Sequence, residues 1–361
     1  MPGLLVLRQS AHSGSSWLAQ LLRAAGVATL FQFAGYCGEN DSPSLPELSQ
    51  SLQAALNSTC NCNWTGRGFG ESCNAARYAT CRRSHYCTSE CPATPSCAAS
   101  AVVIGNTTAF GMLGALARSS NARVATWERC NSAKHAASQA KHACGVGSIA
   151  NHRFASAAPP GAPGALLVSP RGLLARAWRQ NWDRLQLAKL RSETSVACSA
   201  SYEQAQLAAE QTVAALLGPL LPTRGPRRLG STQPTVKAAP DSLDELLVGF
   251  AAVERAFAGL GCMHEQLLSR KPRCAPACEL PTLERTLELL SPLPPHEAAF
   301  FARAEALVDA SGGEPVVVHC NRSRPEKSAA LGEVCARALG RYGSAGEAVD
   351  VCLAKPIGAV G

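Results

Sequence analysis

Short continuous apolar runs alternate with amphipathic stretches over much of the chain. "LLVLR" at 4–8 has the length and composition of a buried strand, and residues 15–25 place Trp17, Leu18, Leu21, Leu22 and Ala25 at helical spacing. "AVVIG" at 101–105 reads as another strand and runs into the helical "AFGMLGALARS"; "ARVATWER" at 122–129 does the same before "NSAKHAASQAKHA". Strand and helix in close succession predict a parallel sheet with helices on its faces, an α/β fold of three layers, α/β/α.

Further along, "RGLLARAWRQNWDRLQLAKLRSE" predicts one long helix. "SVACSASYEQAQLAAEQTVAALLGPLL" predicts a short strand, a turn and a helix closed by Gly218 as a C-cap. "SLDELLVGFAAVERAFAGLG" predicts a single helix opened by a capping box of Ser242 and Glu245. From about 281 to 361 the pattern predicts a helix, the apolar strand "EPVVVHC" and a final helix. Residues 145–170, centred on "APPGAPGA", are rich in Gly, Ala, Pro and Ser and read as a mobile linker. The organisation expected is an α/β domain over 1–270, interrupted by a cysteine-rich insertion at 36–99 and by that linker, then a small α/β segment over 281–361.

With 46% hydrophobic residues, the 361-residue chain can bury a core of ordinary size. Its formal charge of +8 is spread along the sequence instead of being gathered in a basic tract. That distribution, without any zinc-finger, RNA-recognition or basic-zipper signature, argues against nucleic acid and for an anionic small molecule such as a phosphate ester. No run of about 18 apolar residues occurs, so no membrane span is expected.

Seven of the 17 cysteines, Cys60, Cys62, Cys73, Cys81, Cys87, Cys91 and Cys97, crowd into the insertion. Zinc binding asks for paired thiolates at regular spacing. Here the spacing is irregular and the surroundings are rich in Gly, Ser, Thr and Asn, so disulfides fit better than a metal. Asn-x-Ser/Thr triplets at Asn40, Asn57, Asn63, Asn106 and Asn321 point the same way, to a glycoprotein of the secretory pathway or Golgi lumen. "MPGLLVLRQ" is no signal peptide, so a targeting segment is expected to lie outside this chain, with the cytoplasm as the alternative compartment.

The junction between the first strand and helix, "HSGSSW", carries the chemistry. A strand that ends in small residues and passes into a helix aims backbone N–H groups and the positive end of the helix dipole at one point, where a phosphate can sit. Gly14 permits close approach, and Ser13, Ser15 and Ser16 add hydroxyls. The Gly-Lys-Ser/Thr ending of nucleotide hydrolases is missing, which disfavours an ATPase or a nucleotide kinase.

These residues resemble the sulfotransferases that use 3'-phosphoadenosine 5'-phosphosulfate (PAPS), the carbohydrate-type members above all. Their loop reads Lys/Arg, Ser/Thr, Gly, Ser/Thr, Ser/Thr, then an aromatic or aliphatic residue; His12 to Trp17 is similar at every position except the first, where His12 replaces the cation. "TWERCNSAKHAAS" is similar to the family's 3'-phosphate signature through Arg129 and Ser138, with Lys134 one turn before the serine. "SYEQAQLAAEQTVAALLG" resembles a third family segment through Tyr202, Glu203, Leu217 and Gly218, with Gln204-Ala205 where the family has Asp-Leu.

The resemblance spans roughly residues 4–262 and implies a P-loop nucleotide hydrolase-like fold. It also implies PAPS as co-substrate without a metal, and sulfuryl transfer to a hydroxyl acceptor such as a glycan. Ser13, Gly14, Ser15, Ser16 and Trp17 would wrap the 5'-phosphosulfate, Arg129 and Ser138 would hold the 3'-phosphate, and His12 would contact the bridging oxygen. A histidine of ordinary pKa is mostly neutral at pH 7, so reduced activity or a mildly acidic optimum is expected.

Two alternatives stand beside this, and the first is another phosphate-binding enzyme, a nucleotide kinase or a cysteine phosphatase. "EPVVVHCNRSRPEKS" resembles a degenerate cysteine-phosphatase loop with Cys320 as nucleophile, although Glu326 occupies the position of the phosphate-binding arginine. The other is a non-catalytic, disulfide-rich secreted protein.

Overall fold

Leu4, Leu5, Val6 and Leu7 have no solvent exposure, as expected of a strand covered on both faces of a parallel sheet. This strand, β1 (Leu4–Arg8), lies at the centre of a five-stranded sheet with β2 (Ala28–Phe33), β3 (Ser100–Ile104), β4 (Arg123–Glu128) and β6 (Val196–Ser201). The order is β2-β3-β1-β4-β6, and every pairing is parallel. The computed structural model describes residues 3–9, 13–25, 27–33, 100–104, 110–119, 122–144, 164–218, 242–322, 328–342 and 348–354. The expected disulfides or zinc among the seven clustered cysteines therefore lie outside the described residues, as do His12 and the acceptor asparagines other than Asn321.

The chain divides into two compact units, one of Met1–Cys130 with Asp183–Pro234, the other of Asn131–Trp182 with Thr235–Gly361. In the first unit, α1 (Ser15–Ala24) buries Leu18, Leu21 and Leu22 against Leu4, Val6, Ala125 and Trp127 of the sheet, as its spacing predicts. β6 leads into α5 (Tyr202–Leu207) and α6 (Ala209–Leu217), whose Val213, Leu216 and Leu217 join the same core. Gly218 caps α6 at φ 49°, donating its N–H to the Ala214 carbonyl, and the Arg123 guanidinium donates to the Ala215 and Leu216 carbonyls. α2 (Phe110–Ser119) follows β3 where the pattern places it.

The second unit holds α3 (Ser132–Cys144), the sheet β5-β8-β7, and a set of helices. β8 (Val349–Leu353) runs parallel to β5 (Ala165–Leu167) and antiparallel to β7 (Val316–Cys320). α4 (Pro170–Glu193) is the predicted long helix, with Pro170 as its first residue, where the missing N–H costs nothing, and from Asp183 onward its residues belong to the first unit. Then come α7 (Phe250–Phe257), α8 (Cys262–Leu268), α9 (Leu283–Glu288), α10 (Pro295–Ala310) and α11 (Ala329–Tyr342). Three disulfides lie in this unit, Cys144–Cys352, Cys262–Cys278 and Cys320–Cys335.

Several expectations need correction. The end of the expected linker is the buried strand β5, because "ALL" finds a partner in β8. The single helix over 242–261 is broken. Leu246 and Val248 exchange backbone hydrogen bonds with Leu166 of β5, at 2.8 Å each, so that α7 starts only at Phe250 behind Gly249 at φ 77°. Its capping box does not form, since the Ser242 hydroxyl donates to the Asp244 carboxylate instead. The tail gains a third helix and the strand β8.

One buried residue ties a disulfide to the start of a helix. Gln266 accepts the Ser132 N–H on its Oε1 at 2.7 Å, and its Nε2 donates to Cys278 Sγ at 3.2 Å. Its carbonyl also accepts from Asn131, whose Oδ1 caps the Lys134 N–H. Gln266→Leu is expected to leave the Ser132 N–H buried without its acceptor and to cost about 1–3 kcal/mol. Chemical denaturation with amide hydrogen exchange at Ser132 checks this, and unchanged protection there would refute the cap.

Candidate functional site

The connections from the two central strands diverge. β1 leads to β2 at one edge of the sheet and β4 leads to β6 at the other, so the strand order reverses between β1 and β4. In open parallel sheets such a switch point is where ligands sit. The residues at those two strand ends are the "HSGSSW" loop and Arg129.

Gly14 is the N-cap residue of α1: its carbonyl accepts the Leu18 N–H at 3.0 Å, and its φ is 82°. The first-turn amides of a helix have no intrahelical acceptor. Ser13 and Ser15 are buried, and Ser13 Oγ has no hydrogen-bond partner among the described residues. The Tyr202 ring lies against Gly14, where a Cβ built on the glycine would stand 2.2 Å from Cδ2. Trp17 meets the same ring edge-on, with centroids 5.4 Å apart, and the Arg129 guanidinium lies 5.0 Å from its centroid.

Tyr202 is set there by the β6–α5 junction. The Ser201 hydroxyl accepts the Gln204 N–H and Gln204 Oε1 accepts the Ser201 N–H, a reciprocal cap that makes Tyr202 the first helical residue. Gln204 is thus a capping residue at the position where the sequence departs from the family pattern.

Arg129 is held by its backbone. Its N–H donates to Gln9 Oε1 at 2.8 Å, while the neighbouring Cys130 N–H donates to Glu203 Oε2 at 2.8 Å and the Cys130 carbonyl accepts from Arg184. On the other side Glu128 takes two arginines of α4, Arg184 at 3.1 Å and Arg191 at 3.0 Å. Two cross-links join β4 to the loop: the Gln9 N–H donates to the Trp127 carbonyl at 3.1 Å, and the Trp127 indole N–H donates to the Ser13 carbonyl at 2.9 Å.

Burial pushes the Arg129 guanidinium below its ordinary value, opposed by Tyr202 and the Glu203 carboxylate. Burial likewise pushes the Tyr202 phenol up, against the pull of Arg129. At neutral pH the site is therefore a desolvated cation beside a neutral phenol and helix-terminal amides, a donor set suited to a phosphate or sulfate oxygen.

Of the residues that the sequence singled out, Gly14, Trp17 and Arg129 converge on Tyr202. Ser13 and Ser15 lie in the adjoining turn, and Ser16 is in the first turn of α1 with its side chain outside the described set. Ser138 is half-buried on α3, in the second unit. Sequence reasoning missed Gln9, Trp127 and the Glu128 clamp. Only the last leaves a local trace, since Arg184 and Arg191 are seven residues apart and so share one face of a helix.

The structure does not favour the cysteine-phosphatase alternative. Cys320 is fully buried and bonded to Cys335, so it offers no thiolate, and Glu326 and Lys327 lie outside the described residues. In the unreduced protein Cys320 is expected to escape alkylation by iodoacetamide, as read by peptide mass spectrometry; labelling without reductant would show a free thiol.

Among the described residues no three His, Cys, Asp or Glu side chains gather as metal ligands, and no helix is long and apolar enough to cross a membrane. Comparison with known proteins finds no matching family model and no curated protein that matches the sequence.

Proposed function

We propose that the chain is a PAPS-dependent sulfotransferase of three-layer, P-loop nucleotide hydrolase-like fold. It transfers a sulfuryl group to a hydroxyl acceptor, with a glycan as the acceptor class, in an oxidising lumen such as the Golgi. The observation that carries this reading is the placement of a glycine-capped helix start and a buried arginine on adjacent central strands at the switch point of the parallel sheet. The disulfides of the second unit suit the compartment.

The donors fit a phosphate-bearing nucleotide. Among the described residues Ser13 Oγ lacks a partner, Gly14 starts the helix at a positive φ against the Tyr202 ring, and Arg129 supplies a desolvated cation. PAPS, when bound, supplies the sulfuryl group as the electrophile. The work of the chain is to bind and orient: first-turn amides and Ser13 take one anionic group, Arg129 takes a second, and their rigidity preorganises charge stabilisation for an in-line displacement. The motif resemblance adds His12, Ser16 and Ser138 to the reading.

Calorimetric titration with adenosine 3',5'-bisphosphate, the desulfated product, tests it. Micromolar binding is the expected result. A folded sample that binds none removes the sulfotransferase reading and leaves "HSGSSW" as a helix cap in a non-catalytic protein.

A further inference from the structure

We infer that Gln9 is a positioning residue that sets discrimination between a nucleotide with two phosphates and one with a single phosphate. The inference rests on the proposed nucleotide site and deepens it.

Gln9 directly follows β1 and is fully buried. Its N–H donates to the Trp127 carbonyl, and its side-chain oxygen accepts the N–H of Arg129, 120 residues away. A second strut runs parallel to it, from the Trp127 indole to the Ser13 carbonyl. The Gln9 N–H to Trp127 carbonyl bond then continues the β1–β4 ladder one step past the strand end. Loop and arginine are thereby fixed in one register. The spacing between the two anion sites is set by these bonds and not by either site alone.

A ligand that occupies the loop only, such as adenosine 5'-monophosphate, makes no use of that register. Adenosine 3',5'-bisphosphate must span it, because two phosphates on one ribose are a fixed distance apart, and preorganisation of both contacts governs its extra affinity. Gln9 touches neither phosphate in this scheme. It acts through the Arg129 backbone.

The test is calorimetry with both nucleotides on the full chain, comparing wild type with Gln9→Leu, Gln9→Glu and Trp127→Phe. Gln9→Leu is expected to weaken the bisphosphate about tenfold or more, the effect of losing one buried hydrogen bond at the arginine. Its monophosphate affinity is expected to stay within about twofold of wild type. Gln9→Glu, which keeps an acceptor oxygen, restores most of the ratio. Trp127→Phe removes the indole donor together with part of a buried ring and lowers the ratio too, and thermal unfolding of each variant separates the loss of core volume from the loss of register, which keeps the inference testable should Gln9→Leu fail to fold. Equal losses for both nucleotides, or no loss for either, overturn the positioning role while leaving the site intact. Wild-type protein that binds neither nucleotide overturns the sulfotransferase reading, and this inference with it.

Discussion

Arg129→Ala is expected to weaken adenosine 3',5'-bisphosphate by about a hundredfold, or ~3 kcal/mol, the scale of truncating one partner of a buried charge pair. The variant is expected to remain folded, because the frame around Arg129 is built from main-chain groups. The Arg129 N–H reaches Gln9, and the Cys130 N–H and carbonyl are taken by Glu203 and Arg184. All of these survive the loss of the guanidinium. The contact with the Tyr202 ring and the attraction of the Glu203 carboxylate do not, but a cation over an aromatic ring is worth only about 0.5–2 kcal/mol, and burial, the larger influence on the guanidinium, ceases to cost anything once it is gone. Arg129→Lys keeps the charge without the planar fork and is expected to fall between the two. Titration of all three proteins, with thermal unfolding alongside, decides the matter. Wild-type affinity in Arg129→Ala would take the arginine out of the site.

Gly14→Ala is expected to destabilise the protein by about 2–4 kcal/mol and to abolish nucleotide binding. Two causes combine. At φ 82° an L side chain is strained, and the new Cβ would overlap the Tyr202 ring. The ring has little freedom to move aside, with the Trp17 edge on it, the Arg129 guanidinium over it and the Ser201–Gln204 cap fixing its helix. Removing the obstacle separates the two causes: Gly14→Ala with Tyr202→Ala is expected to be less destabilised than the sum of the single variants, leaving mainly the backbone term. Urea denaturation of the four proteins measures this. Strict additivity would mean that the ring and the glycine do not press on each other.

The phosphate-loop half of the candidate site could be read from adjacent residues, since "HSGSSW" between an apolar run and an amphipathic helix contains its own geometry: a cap, a small-residue turn and a dipole. Arg129 could be read only through a motif. Its partners could not, because Gln9, Glu203 and Arg184 are scattered over the chain and nothing in the residues near each of them indicates a shared backbone target.

The sequence by itself determined β1, β3, β4, β6, β7, α1, α2, α3, α4, α6 and α11, because burial on one or both faces imprints a period of two, a continuous run or a 3.6-residue stripe on nearest neighbours. It also marked the end of α6 at Gly218, where a positive φ asks for glycine. Tertiary structure decided the rest. "ALL" at 165–167 is a strand because β8 lies beside it, and the helix expected at 242 yields because Leu246 and Val248 find backbone partners on Leu166. Cys320 is a cross-link because Cys335 of α11 stands next to it. In each case a short segment has two locally acceptable conformations or fates, and a hydrogen bond or covalent partner distant in sequence, which no local pattern encodes, supplies the difference.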